Sequence, residues 1–239
     1  MQRIFISEED FKNRIITDSE ILNHLSNVLR MKESDEIEIM ALSTLVIAKL
    51  TKFDKKQITF EVTKELEIEE KEYQITLLQG LAKLDKIDEI IKHSVELNVD
   101  HIILSQMDFS IMKIKNDAYD AKKERYNKIA LNASSQAHRN NLTDVDIMPL
   151  NKIDYKQYDL LLMLDTVEAR KDNPQYLEKE MLENKKNIIF VVGPEGGISP
   201  KERELFINQG FLPIALSKNI LRTETASLAL LAQLDLLKK

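Results

Sequence analysis

The spacing of apolar residues differs between the first third of the chain and the remainder. Residues 35–63 contain short runs in which apolar and polar positions partly alternate, the pattern of strands with one buried face. After Asp18 the apolar residues recur every three or four positions, which predicts a helix over residues 19–31. The predicted strands of this part cover residues 3–7, 35–40, 44–50 and 57–63. We therefore expect a small antiparallel sheet or barrel.

Residues 64–72 are dense in charge and separate the two parts. We predict a linker here, with one domain at residues 1–70 and another at residues 71–239. The second domain contains near-continuous apolar runs at residues 160–164 and 188–192. Its predicted strands cover residues 73–79, 101–105, 159–165, 187–192 and 211–216, and its predicted helices cover 84–97, 117–138, 173–183, 200–209 and 225–237. This alternation predicts an α/β domain whose parallel sheet is covered by helices on both faces.

The composition is that of a globular protein, with 43% apolar and 31% charged residues. The longest apolar runs have about five residues, against the ~20 that a membrane-spanning helix needs. The first residues contain no apolar signal core. We therefore expect a cytoplasmic protein that crosses no membrane. The net charge of −6 argues against a protein that coats nucleic acid, so any RNA contact should be local.

The chain contains no cysteine, which excludes disulfides, thiolate zinc sites and thiolate nucleophiles. The four histidines are His24, His93, His101 and His138. None pairs with another histidine or with a glutamate at the spacing of a known metal motif. We therefore predict that the protein holds no metal.

The glycines are concentrated in one region, since four of the five lie between residues 193 and 210. The run Gly-Pro-Glu-Gly-Gly at residues 193–197 follows a predicted buried strand, the position at which open α/β sheets bind ligands. A tight turn alone would also account for the glycines. Glu195 would repel phosphate but would suit hydroxyl groups, amino groups or a positive centre. Adenosine with an attached cationic group therefore fits this loop better than a nucleoside triphosphate.

Two helix starts flank this region. Ser199 and Glu202 form a capping box with Pro200 at the first helical position, which is a structural feature. Thr223 and Thr225 can cap the last helix, and Glu224 suits its positive end. Arg222 is a cation just before the same helix, where the dipole disfavours it. This mismatch indicates an anionic partner.

The two motifs together, Gly-Pro-Glu-Gly-Gly-Ile-Ser at residues 193–199 and Ile-Leu-Arg-Thr-Glu-Thr-Ala at residues 220–226, resemble the signature of the ribosomal RNA small subunit methyltransferase E family of the SPOUT superfamily. Residues 23–31 resemble the family's N-terminal helix, and residues 82–86 and 95–99 resemble its first βα unit. Gln136 and Arg139 match a further segment that ends in Gln-x-x-Arg. The resemblance covers nearly the whole chain.

The resemblance implies an N-terminal PUA-like β-barrel that helps to hold RNA, and a C-terminal parallel α/β domain with a deep trefoil knot. It also implies a homodimer that uses S-adenosylmethionine to methylate N3 of a uridine in 16S ribosomal RNA, either free or within the small ribosomal subunit. The residues implied to bind the cofactor are Leu164, Gly193, Pro194, Glu195, Gly196, Gly197, Leu216, Leu221, Thr223 and Thr225.

The residues are compatible with methylation at nitrogen. Methylation of a pyrimidine C5 usually requires an added thiolate, which this chain lacks, whereas a nitrogen requires only loss of a proton and alignment with the methyl group. We predict Arg222 and Glu224 as catalytic residues: Arg222 could stabilise the developing charge or hold a phosphate, and Glu224 could orient Arg222 or accept a proton. Neither residue can be assigned as the base.

Basic residues are the candidates for RNA contacts, although a solvated surface charge is the alternative for each. The candidates are Arg3, Arg30, Lys83, Lys86 and Arg139. The chain departs from the family pattern at Ser135, at His138 and at Ser217-Lys218-Asn219, and these changes affect the expected RNA side more than the cofactor loop.

Two other functions remain open. One keeps the fold and cofactor but places the methyl group on another ribosomal RNA position or on a transfer RNA. The other is an RNA-binding ribosome assembly factor without catalysis.

Overall fold

The computed structural model describes residues 1–54, 56–69, 71–114 and 118–238, which form two compact units. One unit comprises residues 1–70 together with 134–141, and the other comprises residues 71–133 and 142–239. The placement of residues 134–141 differs from the predicted division at residue 70. Hydrogen bonds attach this segment to the first unit, because the guanidinium group of Arg3 donates to the carbonyl oxygens of His138 and Arg139.

The first unit is built on a five-stranded sheet of order β1-β3-β4-β5-β2. Strand β1 pairs parallel with β3, and the other pairs are antiparallel. Its strands are β1 (Gln2–Phe5), β2 (Ile15–Ile16), β3 (Glu36–Ala41), β4 (Thr44–Phe53) and β5 (Ile58–Leu66), and its helical segments are α1 (Glu8–Asn13), α2 (Ser19–Asn23) and a π-helical turn (His24–Val28). Apolar residues from all five strands, with Leu25, form its core.

Several local predictions for this unit need correction. The helix predicted over residues 19–31 is α2 followed by the π-helical turn, in which the amide of Leu29 bonds to the carbonyl of His24. Strand β5 continues to Leu66, into the predicted linker, because its outer half still pairs with β4. Helix α1 and strand β2 were not predicted, since each is too short to show a period.

The second unit contains a six-stranded, entirely parallel sheet of order β11-β9-β10-β6-β7-β8. Its strands are β6 (Gln74–Gly80), β7 (His101–Ser105), β8 (Asp144–Ile147), β9 (Leu160–Leu164), β10 (Asn187–Val192) and β11 (Leu212–Ile214). Its helices are α3 (Leu84–Glu96), α4 (Tyr119–Gln136), α5 (Pro200–Asn208) and α6 (Thr223–Leu237). The start predicted for α4, Asp117, lies outside the described residues.

Two apolar cores cover the two faces of this sheet. One joins alternate strand residues to α3, α4 and α6, with residues such as Ile87, Tyr126 and Leu230. The other joins the opposite strand residues to α5 and to the segment that precedes β9, with residues such as Phe206 and Tyr155. The predicted α/β fold with both sheet faces covered is confirmed.

The helix predicted over residues 173–183 is wrong. Tyr176 forms a parallel bridge with Ala215, and the amide of Ala215 bonds to the carbonyl of Gln175 at 2.7 Å. The Gln175 carbonyl is thus bonded to another segment and not to an amide of a helix. The remaining helical structure in this range is a 3₁₀ turn at Lys179–Leu182. Strand β8 was not predicted, because Asp144 and Asp146 interrupt its apolar pattern. Among the described residues, no helix is long and apolar enough to span a membrane.

Candidate functional site

A pocket of about 380 Å³ lies at the carboxyl ends of β9, β10 and β11, within the size range of small-molecule sites. Three segments line it: the loop after β9, the glycine-rich loop after β10, and the connection from β11 to α6. The lining residues are Lys86, Leu164, Asp165, Thr166, Ala169, Arg170, Val192, Gly193, Pro194, Glu195, Gly196, Gly197, Ile198, Ile214, Ala215, Leu216, Ser217, Asn219, Ile220, Leu221, Arg222, Thr223 and Ala226.

The glycine-rich loop, residues 193–197, turns sharply after β10. The amide of Gly197 bonds to the carbonyl of Pro194 at 2.8 Å, and Gly197 has a φ of 79°. At Gly193, an added Cβ would lie 2.7 Å from the carbonyl carbon of Gly197. Glycine is required at these two positions because one needs a left-handed backbone and the other closes the turn. The main chain therefore lines the pocket directly.

Gln79 and Thr223 fasten this loop to the start of α6. The Thr223 hydroxyl donates to the carbonyl oxygen of Gly193 at 2.7 Å. The Gln79 amide nitrogen donates to the Thr223 hydroxyl at 2.9 Å and to the carbonyl of Gly80 at 2.9 Å. Gln79 is fully buried, and its role was not predicted from the sequence. The ends of β6 and β10 and the first turn of α6 are thus tied together.

Glu195 lines the pocket and has one carboxylate oxygen without a hydrogen-bond partner among the described residues. Its Oε1 accepts from the amide of Lys83 at 3.0 Å and lies 3.9 Å from the Lys86 ammonium. Its Oε2 is buried and has no hydrogen-bond partner among the described residues. A buried carboxylate oxygen without a donor is costly unless a ligand supplies one. Glu195 therefore brings a negative charge to the pocket wall.

Glu224 and Arg222 lie at the start of α6. The Lys86 ammonium contacts Glu224 Oε2 at 3.2 Å. Burial acts to raise the pKa of the Glu224 carboxyl, but its own backbone amide, Lys86 and Arg222 outweigh burial and hold that pKa below its ordinary value. Glu224 is therefore ionised at neutral pH. Arg222 is exposed and precedes the helix without capping it.

The wall formed by the loop after β9 was not predicted as part of the site. Asp165 accepts from the Val167 amide at 2.9 Å and from Arg203 Nε at 2.7 Å. Glu168 is buried and accepts from the amide of Gln175 at 3.0 Å. The Lys171 ammonium and the Gln175 amide hold the pKa of Glu168 below its ordinary value. These contacts order the loop, but no sequence motif marked them.

The capping box is present and extends further than predicted. Ser199 accepts from the amide of Glu202, and Glu202 accepts from the amide of Ser199 at 3.0 Å. The other oxygen of Glu202 accepts from the amide of Asp108 at 2.7 Å, and the Ser199 hydroxyl donates to Asp108 at 2.6 Å. The loop after β7 is therefore held against the start of α5, and it places Phe109 against Gly196.

The structure brings most of the predicted cofactor residues together. Nine of the ten line the pocket, namely Leu164, Gly193, Pro194, Glu195, Gly196, Gly197, Leu216, Leu221 and Thr223. Thr225 lies on the exposed side of α6 and does not line it. Of the two predicted catalytic residues, Arg222 lines the pocket and Glu224 lies beside it, bound to Lys86.

The predicted RNA residues fall into two groups. Arg30 and Lys83 are exposed. Arg3 and Arg139 are each only 6% exposed, and Lys86 lies in the pocket with its ammonium against Glu224. Arg3 donates to Glu38, at 2.7 Å, and to Asn140, while Arg139 donates to Asn141. Arg3, Lys86 and Arg139 therefore form hydrogen bonds or ion pairs with other side chains of the protein.

The departures from the family pattern also have visible roles. His138 contacts Glu38 at 2.9 Å, and Ser217 accepts from the amide of Asn219 at 3.1 Å. Ser217 and Asn219 line the pocket, whereas Lys218 is exposed and does not. Two of the three residues of the departure at 217–219 thus line the pocket, and the expectation that the change concerns mainly RNA stays a prediction.

His101, Asp144 and Asp146 form a cluster with metal-ligand chemistry in the described part of the chain, with ligand atoms within 4.8 Å of one another. They lie at the amino ends of β7 and β8, away from the pocket. Lys123 already contacts Asp146. Burial acts to raise the pKa of the Asp146 carboxyl, but Lys123 and His101 outweigh burial and lower that pKa. The lysine supplies the positive charge, and the absence of a metal stays a prediction.

The chain is similar to known proteins along nearly its whole length. Residues 69–235 match the RNA methyltransferase domain family, and residues 16–63 match the RNA methyltransferase PUA domain family. Ribosomal RNA small subunit methyltransferase E from Bacillus subtilis is 28% identical over 98% of this chain and 96% of the relative. The protein of that name from Aquifex aeolicus is 27% identical over 96% and 97%.

A solved structure shows the same similarity. Ribosomal RNA small subunit methyltransferase E from Neisseria gonorrhoeae, bound to S-adenosyl methionine, has a TM-score of 0.80 and 26% identity, and the match covers 99% of this chain and 98% of that chain. The match to the PUA family confirms the type of domain predicted for the first part of the chain.

Proposed function

The chain belongs to the RNA methyltransferase family, and from that premise we propose that it methylates 16S ribosomal RNA of the small ribosomal subunit with S-adenosylmethionine. The observation that carries the proposal is the pocket between the glycine-rich loop and the start of α6, with the Glu195 carboxylate in its wall. Two findings support the proposal: relatives named ribosomal RNA small subunit methyltransferase E, and the solved structure of that name bound to S-adenosyl methionine, which has the same fold.

The residues of the pocket fit this cofactor. Leu164, Ile214, Leu216 and Leu221 provide apolar walls, which suit an adenosine group and exclude water. Gly193, Gly196 and Gly197 bring main-chain atoms to the pocket wall, where they can approach a ligand. Glu195 can hold an ammonium group or face a positive sulfur. When bound, S-adenosylmethionine supplies the electrophilic methyl group.

We propose N3 of a uridine as the acceptor. A ring nitrogen needs only to lose its proton and to be aligned, which this chain without cysteine can provide. The exposed Arg222 guanidinium is placed to stabilise negative charge that develops on the base. Glu224 is ionised, so it can orient Arg222 or accept a proton from the base.

For RNA binding, we propose Arg30 on the first unit and Lys83 on the second, since both are exposed. The homodimer, the trefoil knot, the division at residue 70 and the cytoplasmic location are also proposals. They are supported by the family relationship.

Mass spectrometry of 16S ribosomal RNA from cells with and without this gene tests the function. We expect one methylated uridine to disappear on deletion and to return with the wild-type gene but not with an Arg222→Ala gene. An unchanged methylation pattern in all ribosomal RNA would refute the proposal, and loss of a methyl group from a transfer RNA would favour a different substrate. If the deletion phenotype is rescued equally by Arg222→Ala, an assembly factor is the better explanation.

A further inference from the structure

Lys86 lies between two carboxylates that come from different loops. Its Nζ is 3.2 Å from Glu224 Oε2 and 3.9 Å from Glu195 Oε1. The three side chains are 23%, 20% and 19% exposed, so the cluster is largely shielded from water. Among the described residues, no other lysine or arginine forms an ion pair with either carboxylate.

The position of Lys86 follows from the start of α3. The amide of Lys83 at this start donates to Glu195 Oε1 at 3.0 Å, which fixes the loop against the helix. Ile87, Ile90 and Ile91 bury the same helix in the core, so the backbone of Lys86 cannot move far. The backbone from which Lys86 reaches both carboxylates is therefore fixed.

The charges around Glu224 explain what the lysine does. The Lys86 ammonium, on α3, contacts Glu224. Arg222 and the amide of Glu224 itself act on the same carboxylate from the start of α6. Glu195 lies on the other side of the ammonium. Removing Lys86 would leave two partly buried carboxylates close together without the cation between them. Two such groups repel, and one of them then takes up a proton more readily.

We propose that Lys86 is a positioning residue for methyl transfer, which holds the Glu224 carboxylate beside Arg222 and draws Glu195 toward the same point. This inference rests on the proposed function. It assigns to Lys86 a role inside the site instead of the contact with RNA suggested by its charge alone. The Lys86 ammonium lies closer to Glu224 than to Glu195, so Lys86 should affect transfer more than cofactor affinity.

The test compares wild type with Lys86→Met, Lys86→Gln and Lys86→Arg, and uses Lys92→Met as the matched control because Lys92 is an exposed lysine of the same helix. Carbon-13 NMR of the Glu224 carboxyl gives its pKa, with Glu224→Gln for assignment. Single-turnover methylation of purified small subunits across pH gives the transfer rate, and calorimetry gives the affinity for S-adenosylmethionine. Thermal melting shows which variants fold.

We expect Lys86→Met to raise the Glu224 carboxyl pKa, to slow transfer at neutral pH at least tenfold because the carboxylate is no longer held in place, and to lose further rate as the pH falls toward the raised pKa. Cofactor affinity should change about threefold or less. Lys86→Gln should behave in the same way if Lys86→Met does not fold, Lys86→Arg should restore most of the rate, and Lys92→Met should match wild type.

An unchanged Glu224 pKa in Lys86→Met or Lys86→Gln would overturn the inference, and so would a raised pKa with a wild-type rate profile. A wild-type protein that binds no cofactor and methylates no subunit would instead refute the proposed function. The NMR measurement would still decide whether Lys86 governs the ionisation of Glu224.

Discussion

The hydroxyl group of Thr223 donates a hydrogen bond of 2.7 Å to the carbonyl oxygen of Gly193, and so joins α6 to the glycine-rich loop. Replacing Thr223 by Val keeps the shape but removes the donor and leaves the Gln79 amide without this acceptor. We expect a loss of about 1–3 kcal/mol in the free energy of unfolding and weaker binding of S-adenosylmethionine. Urea unfolding and calorimetry measure the two effects. Thr225→Val, on the exposed side of α6, is the control and should change neither.

A substitution at Gly196 tests how closely Phe109 packs against the glycine-rich loop. An added Cβ would lie 2.7 Å from the Cβ of Phe109. Gly196→Ala should therefore shift the loop, at a cost of about 1–3 kcal/mol, and reduce cofactor affinity. Phe109→Gly removes the conflicting atom, so the double variant should recover part of the affinity relative to Gly196→Ala. If the effects of the two substitutions simply add, the contact does not position the loop.

Arg3 is predicted to act on stability and not on RNA. Its guanidinium is buried, and it donates to Glu38 and to the carbonyls of His138 and Arg139. Arg3→Met removes the donor of the two carbonyls and leaves Glu38 with His138 alone, so it should lower the free energy of unfolding by about 3 kcal/mol. The exposed Arg30 provides the comparison, since Arg30→Met should leave the urea midpoint unchanged while it weakens RNA binding. A stable Arg3→Met protein that has lost only RNA affinity would restore the original prediction.

These residues show which features the sequence could predict. The apolar runs of β9 and β10 and the helices around them repeat with regular periods, so the α/β fold followed from the pattern. The glycine-rich loop could be predicted as a site because glycines and a carboxylate stand together at a strand end. Charge alone did not separate Arg30, which is exposed, from Arg3, which is buried. That distinction depends on contacts with residues more than a hundred positions away.

The wall around Glu168 was missed for a similar reason. Leu177 and Met181 lie four positions apart, as on one helix face, but the backbone near Gln175 pairs with the chain after β11 instead. Long-range pairing of this kind overrides local periodicity. The role of Lys86 was also hidden, because no local pattern shows that its ammonium reaches Glu224, which lies more than a hundred positions along the chain.

The pH dependence of stability should depend in part on Glu38. Burial acts to raise the pKa of its carboxyl, but hydrogen bonds from Arg3 and His138 outweigh burial and lower that pKa. A carboxyl whose pKa is lower in the folded than in the unfolded protein stabilises the fold above the unfolded pKa of about 4.3. This contribution is lost as the pH falls through the lower folded pKa. Urea midpoints should therefore fall less on acidification from pH 6 to pH 3 in Glu38→Gln than in wild type.

The unpartnered oxygen of Glu195 can show which part of the cofactor the loop recognises. Glu195→Gln keeps an oxygen for the Lys83 amide but removes the negative charge, so we expect about tenfold weaker binding of S-adenosylmethionine. The product S-adenosylhomocysteine has the same ammonium group but no positive sulfur. If Glu195 binds the ammonium group, calorimetry will show the same loss for both ligands, whereas a contact with the sulfonium will weaken S-adenosylmethionine alone. Glu204→Gln, an exposed change on α5, should leave both affinities unchanged. Unaltered binding of both ligands by Glu195→Gln would mean that the buried oxygen does not recognise the cofactor.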